Sequence, residues 1–308
     1  STKPNAVMSL ENIDILITTR NRIAELIFTI DHCLAIGCEE DQIWVMDDAS
    51  EDGTSQSITK QYPKIHLLKN ETSKGLIANR NTLMQATIKP YTLSLDDDSH
   101  IRTQEDILEA IDVLESNPYY GIFHFHAFEQ LAEPPAKEYL PNTVREIRTY
   151  IGCGHIIKRE VIQKLGKYRE EFEFYCEELD YSIRAWQAGY KVVTQDNLVV
   201  HHRIDWETRG KQFQDDLSKG IYGAVNRSIL GFSNNLIVVN LYFPFPFNLL
   251  FTVYYTLLRF KNFYLKKGDR EGFRKGWARY RSFSDYIKEN RKAMAYTIFQ
   301  YWIKLKVK

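Results

Sequence analysis

The chain has 308 residues, of which 44% are hydrophobic and 26% charged, and its formal net charge is zero. This composition excludes a disordered chain, a collagen and a strongly basic nucleic-acid-binding module. The zero is a cancellation, since residues 1–205 carry twelve more acidic than basic residues and residues 206–308 carry twelve more basic than acidic ones. We therefore expect the two parts of the chain to meet different partners.

Short apolar runs alternate with amphipathic segments over residues 13–205, which predicts a mostly parallel sheet with helices on both faces. The predicted strands are 13–17, 42–46, 65–68, 91–95, 122–128, 150–157 and 192–200. The predicted helices are 24–36, 54–61, 76–87, 106–114, 159–165 and a segment ending at 188. Residues 132–142 are rich in proline and glutamate and predict a loop. The four cysteines form no CxxC pair, which favours a reducing compartment over a zinc site or a disulfide framework.

Polar clusters follow three of the predicted strands, at the strand ends where open α/β sheets bind ligands. They are residues 18–22 (TTRNR), 47–53 (DDASEDG) and 96–98 (DDD). Three adjacent carboxylates repel one another unless a cation lies among them, and hard oxygen ligands suit Mg²⁺ or Mn²⁺. A solvated acidic turn before the next helix is the alternative, and the second acidic cluster makes it the weaker one.

In these motifs the chain resembles the inverting family 2 glycosyltransferases of GT-A fold, among them bacterial rhamnosyltransferases and other enzymes of surface-polysaccharide synthesis. The resemblance covers about residues 10–205 and rests on residues 18–22, 45–54, 75–81, 95–98, 152–154, 177–180, 184 and 189–190. It implies a GT-A nucleotide-sugar-binding catalytic domain over residues 1–205. It also implies transfer of a sugar from a UDP- or dTDP-sugar to an acceptor hydroxyl, with inversion at the anomeric carbon.

The resemblance assigns roles to individual residues. For the donor nucleotide it implies Thr18, Arg20, Asp48, Arg80, Asp96 and Asp97, with the carboxylate of Asp48 accepting from the N3–H of uracil or thymine. For Mn²⁺ or Mg²⁺ it implies Asp98, Asp96 and, of two consecutive histidines, His201. For the acceptor we expect Gly154, His155, Glu177 and Trp186, since glycines let the backbone approach a sugar closely and aromatic rings stack on sugars.

The general base is predicted to be Glu178. Chemistry alone requires such a group, because the attacking hydroxyl must lose its proton and inversion needs no protein nucleophile. In the family pattern the second acidic residue of the motif is the base, and here a glutamate stands where aspartate is usual. The alternative for this cluster is an acidic helix N-terminus that complements the helix dipole, which suits Glu177 and Asp180 better than Glu178.

Residues 206–308 predict a basic, aromatic-rich helical region. Residues 236–258 are 23 consecutive residues without charge, which is long enough to cross a bilayer, but Pro244 and Pro246 weaken that interpretation. The basic, aromatic-rich residues that follow favour association with an anionic membrane surface, while a helical cap or an interface between copies of the chain is the other alternative. We expect a cytoplasmic protein at the inner face of the membrane, with a glycan or lipid-linked glycan as acceptor and no nucleic-acid partner.

Two other functions are compatible with an acidic α/β sheet. A nucleotidyltransferase shares the nucleotide-binding sheet but usually has a glycine-rich phosphate loop early in the chain, and residues 18–22 contain no glycine. A saccharide-binding or scaffold protein that has lost activity is the third interpretation. The presence of Asp96, Asp98 and Glu178 argues against it.

Overall fold

The structure is a computed structural model that describes residues 9–204, 222–265 and 268–306. One mixed sheet forms its centre, in the order β3-β2-β1-β4-β8-β6-β9-β5, with β7 also paired to β9. The strands are β1 (Ile13–Thr19), β2 (Ile43–Asp47), β3 (His66–Lys69), β4 (Tyr91–Asp96), β5 (Ser99–Ile101), β6 (Tyr120–Glu129), β7 (Val144–Ile147), β8 (His155–Lys158) and β9 (Lys191–His202). This confirms the predicted α/β class.

Helices cover both faces of the sheet and form the C-terminal region. Those of the sheet are α1 (Ile23–Ala35), α2 (Thr54–Gln61), α3 (Leu76–Ala86), α4 (Gln104–Glu115), α5 (Arg159–Leu165) and α6 (Glu177–Gln187). The later ones are α7 (Tyr222–Tyr242), α8 (Phe247–Arg259) with a π-helical extension (Phe260–Leu265), α9 (Arg270–Ser282), α10 (Ser284–Asn290) and α11 (Tyr296–Trp302). The C-terminal helical region is thus confirmed for the described residues.

Strands β3, β2, β1 and β4 are all parallel, and they bring the predicted polar clusters to one edge. Thr18 is the partner of Asp96 across β1 and β4, and Thr19 is the partner of Asp47 across β1 and β2. The three motifs therefore meet because their strands end at the same level of the sheet.

The sequence prediction differs from the structure around residues 150–157. We expected one strand there, but β8 begins only at His155, because Gly154 has a positive φ of 66° and lies against Val200 of β9. The short strands β5 and β7 were not predicted. Both strands are too short to contain an apolar run that would predict a strand from the sequence. Each forms by pairing with β9, near one of its two ends.

Strand alternation divides the interior into two apolar clusters, one on each face of the sheet. The first contains Ile15 and Ile17 of β1 with residues of α1, α2 and α4. The second contains Leu16 and joins α3, α5 and α6 to C-terminal side chains such as Leu241 and Trp302. The C-terminal helices therefore share a core with the sheet. The predicted domain boundary near residue 205 adjoins residues 205–221, which lie outside the described residues.

The uncharged residues 236–258 are divided between α7 and α8, with Pro244 and Pro246 in the turn between them. No helix within the described residues is long and apolar enough to span a bilayer. Proline lacks the N–H that a continuous helix needs and its ring clashes with the preceding turn, so the chain reverses here.

Candidate active site

Two of the three carboxylates at residues 96–98, those of Asp97 and Asp98, share the guanidinium of Arg22, each at 2.8 Å. Asp97 is buried, forms an ion pair of 2.8 Å with Arg22 and accepts a hydrogen bond from Thr19 Oγ1 at 2.9 Å. Burial outweighs the attraction of Arg22 and raises the pKa of Asp97 to about 7. We predicted a donor contact for Asp97, whereas its described contacts are with Arg22 and Thr19, which join β1 to the end of β4.

Asp98 and Asp96 lie beside His202 at the end of β9. His202 Nε2 lies 3.0 Å from Asp98 Oδ1 and 4.0 Å from Asp96 Oδ2, and His202 Nδ1 lies 3.5 Å from the Cys153 thiol. Burial alone would lower the pKa of His202, but its hydrogen bonds to Asp98, Cys153 and Glu129 raise it to about 12. Burial likewise opposes ionisation of Asp98, and the hydrogen bond from His202 together with Arg22 lowers its pKa well below the usual range.

This group has the donor atoms of a metal site. One ligand atom each from Asp96, Cys153 and His202 lies within 4.8 Å of the others, and the second oxygen-bearing group, Asp98, is in contact with His202. Carboxylate oxygens suit Mn²⁺ and Mg²⁺. The His202 imidazole could join them only after losing its proton, and the Cys153 thiol is a soft donor that neither ion prefers. The residues present therefore fit a divalent cation.

The histidine at this position is His202 and not the predicted His201. Successive side chains of a strand point to opposite faces, and His201 lies on the other face, where its Nε2 is 3.0 Å from the carbonyl of Gln130 and its ring packs on His100. The two histidines could not be distinguished by sequence, because β9 has a register shift against β6 between Phe125 and His126 that changes the alternation.

Asp48 organises the loop that leads into α3. Its two carboxylate oxygens accept hydrogen bonds from Asn70 Nδ2 at 2.8 Å, Ser73 Oγ at 2.7 Å, the Lys74 amide at 2.8 Å and the Gly75 amide at 3.1 Å. Burial opposes the charge, but these hydrogen bonds outweigh it and lower the pKa of Asp48 to about 2. Asp48 is therefore an anion held at the open edge of the sheet.

Thr18 and Arg20 lie beside this loop. Thr18 is half-buried at the end of β1, and Arg20 is exposed and donates a hydrogen bond of 3.0 Å to the same Ser73 hydroxyl that donates to Asp48. The predicted donor residues Thr18, Arg20 and Asp48 are thus close together. They form a polar surface next to Asp96.

Arg80 connects the acidic cluster at residues 96–98 with the one at the start of α6. It is buried on α3, and its guanidinium donates from Nη2 to Asp96 Oδ1 at 3.0 Å and from Nη1 to Glu178 Oε1 at 3.1 Å. Burial alone would lower its pKa, but Asp96, Glu178 and Glu177 outweigh burial and raise the pKa above its ordinary value. The predicted metal side and the predicted general base are therefore joined through one side chain.

Glu177 and Glu178 form the first turn of α6, next to the partial positive charge of its N-terminus. Burial is the largest influence on both groups, and it raises the pKa of Glu178 above its usual range although Arg80 lies beside it. Burial and the charge of Glu178 raise the pKa of Glu177 to about 8. Glu177 Oε2 is buried without a hydrogen-bond partner among the described residues.

The chain before α6 is held in an unusual conformation. Glu173, Tyr175 and Cys176 all have positive φ angles, of 61°, 70° and 69°. Such angles cost non-glycine residues about 1–3 kcal/mol each and persist where the surroundings fix them. Here the side-chain amide of Asn234 on α7 donates to the carbonyls of Phe174 and Tyr175 at 2.8 and 3.0 Å. The C-terminal helices therefore support the turn that carries Glu178.

Gly152 lies close to the Arg80–Glu178 contact. A Cβ added there would lie 2.5 Å from Arg80 Nη1 and 2.6 Å from Glu178 Oε1, closer than side chains approach one another. The Arg80–Glu178 contact thus lies directly over the Gly152 backbone. The sequence pattern had drawn attention to residues 152–154 but gave the acceptor role to Gly154, whose own added Cβ would meet Val200.

A cavity of about 420 Å³ opens beside Glu178. One wall consists of residues from the first 205 of the chain, namely Thr149, Tyr150, Tyr175, Cys176, Glu178 and Leu179. Residues of α7 and α8 form the other, namely Arg227, Ser228, Gly231, Asn235, Tyr255 and Arg259. Its volume is that of a small-ligand site. The helical region thus contributes half of the wall around the predicted base.

The four residues predicted to bind the acceptor are all buried in the structure. Gly154 is within the sheet, where its amide donates to the Ser94 carbonyl. His155 is buried against Tyr150, with a ring-centroid distance of 4.5 Å. Trp186 is buried in the apolar cluster shared with the C-terminal helices. Glu177, the fourth, is buried under Arg80, at 3.6 Å from its Nη1.

Comparisons with known proteins find one matching family model and several solved structures of similar fold. Residues 14–166 match the family model described as Glycosyl transferase family 2. A search of curated proteins finds no match. One similar solved structure, with a TM-score of 0.54 and 12% identity, is the mannosyltransferase PcManGT from Pyrobaculum calidifontis in complex with GDP-Man and Mn²⁺, and the alignment covers 95% of this chain and 78% of that one.

Two further solved structures have the same fold. S. aureus TarS aligns with a TM-score of 0.51 and 13% identity over 71% of this chain and 42% of its own. GalNAc-T7 with UDP, GalNAc and Mn²⁺ aligns with a TM-score of 0.60 and 15% identity over 91% of this chain and 58% of its own. At such identities the likeness concerns the fold, and it confirms the predicted GT-A architecture.

Proposed function

Residues 14–166 form a family 2 glycosyltransferase domain, and from this premise we propose that the chain is a metal-dependent inverting glycosyltransferase with Glu178 as its general base. It moves a hexosyl or deoxyhexosyl group from a UDP- or dTDP-sugar to an acceptor hydroxyl. The observation that carries the proposal is the guanidinium of Arg80, which contacts Asp96 on the metal side and Glu178 on the acceptor side at 3.0 and 3.1 Å.

Asp98, His202 and Asp96 would hold the cation, Mn²⁺ or Mg²⁺. Their grouping beside the end of β4 supports this, with His202 Nε2 3.0 Å from Asp98 and 4.0 Å from Asp96. When bound, a divalent cation stabilises the charge that develops on the diphosphate leaving group as the sugar bond breaks. A cation between the carboxylates also relieves their mutual repulsion.

The donor nucleotide binds over the ends of β1 and β2. Thr18, Arg20 and Asp48 form this surface, and the carboxylate of Asp48 is held as an anion by its four hydrogen bonds. An anion at this place accepts a hydrogen bond from the N3–H of uracil or thymine. Two solved structures of similar fold were captured with different nucleotides, GDP-Man in one case and UDP with GalNAc in the other.

Glu178 takes the proton of the attacking hydroxyl. Its carboxylate faces the cavity, and Arg80 fixes Oε1 at 3.1 Å, which leaves the other oxygen for the acceptor. A base works best when its pKa lies near the working pH, and burial raises the pKa of Glu178 in that direction. Attack from this side, opposite the leaving diphosphate, inverts the anomeric carbon.

The acceptor hydroxyl enters from the cavity between the catalytic part and α7 and α8. Tyr150, Tyr175 and Tyr255 offer aromatic walls to sugar rings. We take the acceptor to be a glycan or lipid-linked glycan of surface-polysaccharide type, met at the inner face of the membrane. The C-terminal region would then serve as the membrane-facing part, and contact between copies of the chain through it is the other role open to this region.

The test is isothermal titration calorimetry of UDP and dTDP with and without Mn²⁺, followed by transfer assays on a panel of nucleotide sugars. We expect one of the two nucleotides to bind in a metal-dependent way. Glu178→Gln should nearly abolish transfer, by 10²-fold or more, and leave nucleotide binding unchanged. Glu177→Gln is the matched control, because it neutralises the neighbouring carboxylate on the same turn.

Two results contradict the proposal. If neither nucleotide binds in a metal-dependent way, the proposed donor site is wrong. A larger loss of transfer in Glu177→Gln than in Glu178→Gln would move the base to the neighbouring residue.

A further inference from the structure

An apolar face on the outside of α8 has no counterpart in the rest of the described surface. Six large apolar residues in three adjacent pairs are exposed: Leu249, Leu250, Val253, Tyr254, Leu257 and Leu258. The pairs recur every four residues, so all six lie on one side of the helix. Leu250 and Leu257 are 59% and 62% exposed. Soluble surfaces rarely collect so much apolar area in one place without a partner.

The opposite side of the same helix belongs to the protein interior. Phe247 and Phe251 pack against the core shared with α11, and the Tyr255 hydroxyl is 3.4 Å from the Gly231 carbonyl of α7. Tyr255 and Arg259 also line the cavity that contains Glu178. The inner side of α8 therefore already packs against the protein interior. The exposed apolar face is the opposite side of the same helix.

The charges around this face identify its occupant. Residues 245–258 contain no charged side chain, and residues 259–282 contain nine basic and two acidic ones. Lys261, Arg270 and Arg274 of this basic stretch are exposed in the structure. An apolar helix face followed by basic residues is what an anionic bilayer surface attracts, since the apolar side chains enter the headgroup region and each nearby cation adds about 1 kcal/mol.

We propose that α8 is an in-plane docking helix that seats its Leu249–Leu258 face in an anionic phospholipid surface. A second copy of the chain would also cover apolar area, but it would bring a second set of the same basic residues rather than the anionic groups that they attract. An anionic bilayer satisfies both features at once. The proposal goes beyond the glycosyltransferase function, and its test requires no sugar transfer.

The consequence for the site follows from the two sides of α8. A helix whose outer face rests on lipid and whose inner face lines the Glu178 cavity holds that cavity beside the bilayer surface. An acceptor anchored in the membrane could then present its glycan to Glu178 without leaving the lipid. This consequence rests on the proposed function, whereas the docking itself does not.

The experiment is flotation of the full chain with vesicles of phosphatidylcholine alone or of equal parts phosphatidylcholine and phosphatidylglycerol. The test variant is Leu250→Glu/Leu257→Glu, which changes two exposed side chains and no internal contact. The matched control is Ile88→Glu/Leu131→Glu, at two other exposed positions, 84% and 66% exposed, outside the helical region. Thermal unfolding of all three proteins establishes that they are equally folded.

We expect the unaltered chain to float with the anionic vesicles and more weakly with the neutral ones. The α8 variant should lose at least tenfold in vesicle binding, or about 1.4 kcal/mol, and the control variant should bind as the unaltered chain does. Failure of the unaltered chain to float, or equal flotation of the α8 variant, overturns the proposal. A dimer in solution that the α8 variant converts to monomers, with no vesicle binding by either, assigns the face to a second copy instead.

Discussion

Replacing Arg80 by lysine tests the link between the metal side and the base side of the site. The guanidinium has two nitrogens engaged at once, Nη2 with Asp96 at 3.0 Å and Nη1 with Glu178 at 3.1 Å. A lysine keeps the positive charge but has one terminal nitrogen, so it cannot occupy both positions. One carboxylate therefore loses a charge-assisted hydrogen bond while the charge balance of the buried cluster is preserved.

The size of the effect follows from that single lost bond. A hydrogen bond to a charged group contributes about 1.5–3 kcal/mol, and about 1.4 kcal/mol corresponds to a tenfold change in rate. We expect Arg80→Lys to lower kcat/KM about ten- to hundredfold. If Glu178 is the group released, kcat falls while UDP binding in the presence of Mn²⁺ is kept. Release of Asp96 would instead weaken metal-dependent UDP binding.

A pH profile separates this positioning role from a structural one. In the proposed mechanism Glu178 acts as a carboxylate, so activity should be lost as the pH falls through its pKa. Burial raises that pKa and Arg80 opposes the rise. Arg80→Gln removes the cation, so the acidic limb of kcat/KM should move to higher pH than in the unaltered enzyme. Arg80→Lys keeps the cation and should move it less.

The matched control is Arg169→Lys. Arg169 also uses a forked contact, with Asp180 at 3.0 Å and the Tyr286 hydroxyl at 2.6 Å, but it contacts none of the residues assigned to the donor, metal or base. Arg169→Lys should lower the melting temperature. It should leave both kcat/KM and the pH at which kcat/KM falls on the acidic side unchanged. Equal losses of kcat/KM in the two lysine variants, or an unaltered pH limb in Arg80→Gln, would refute the positioning role of Arg80.

Three further predictions concern single residues. Gly152→Ala places a methyl group against the buried Arg80 guanidinium, which must shift, so it should reduce kcat/KM more than tenfold and also lower the melting temperature, as measured by steady-state kinetics and thermal unfolding. His202→Ala should weaken Mn²⁺-dependent UDP binding in calorimetry, whereas His201→Ala should leave it unchanged because that ring faces the other side of the sheet. Asp48→Asn should cost about 2 kcal/mol of unfolding free energy at pH 7, since a carboxyl with a lowered pKa of about 2 stabilises the fold only while ionised; urea titrations should show this difference shrinking as the pH falls below about 4.

The strand-end motifs could be predicted from the sequence because they depend on local patterns. An apolar run followed by a polar cluster defines a strand and its end, and parallel strands bring such ends to one edge. Thr18, Asp48 and Asp96 were placed in this way, and in the structure they share that edge. The C-terminal helical region was likewise predictable from its composition.

Other parts of the site depend on packing across long sequence separations. The Arg80 contacts join residues 16 and 98 positions apart, and no local pattern reports such distances. Which of the two histidines, His201 or His202, lies beside Asp98 depends on a register shift between β6 and β9. His155 and Trp186 were placed at the acceptor because of their chemistry, but burial in the core is decided by their neighbours in space.

The acidic and the basic parts of the chain meet at the Glu178 cavity. The acidic part supplies Glu178, and α7 and α8 of the basic part supply Arg227 and Arg259 to the same lining. The hydrogen bonds from Asn234 on α7 to the carbonyls before α6 tie the helical region to the turn that carries the base. Because α8 packs on α7 and also bears the exposed apolar face, a surface that holds α8 holds one wall of the Glu178 cavity. Under the two proposals, docking of the helical region and access to Glu178 depend on one connected set of helices.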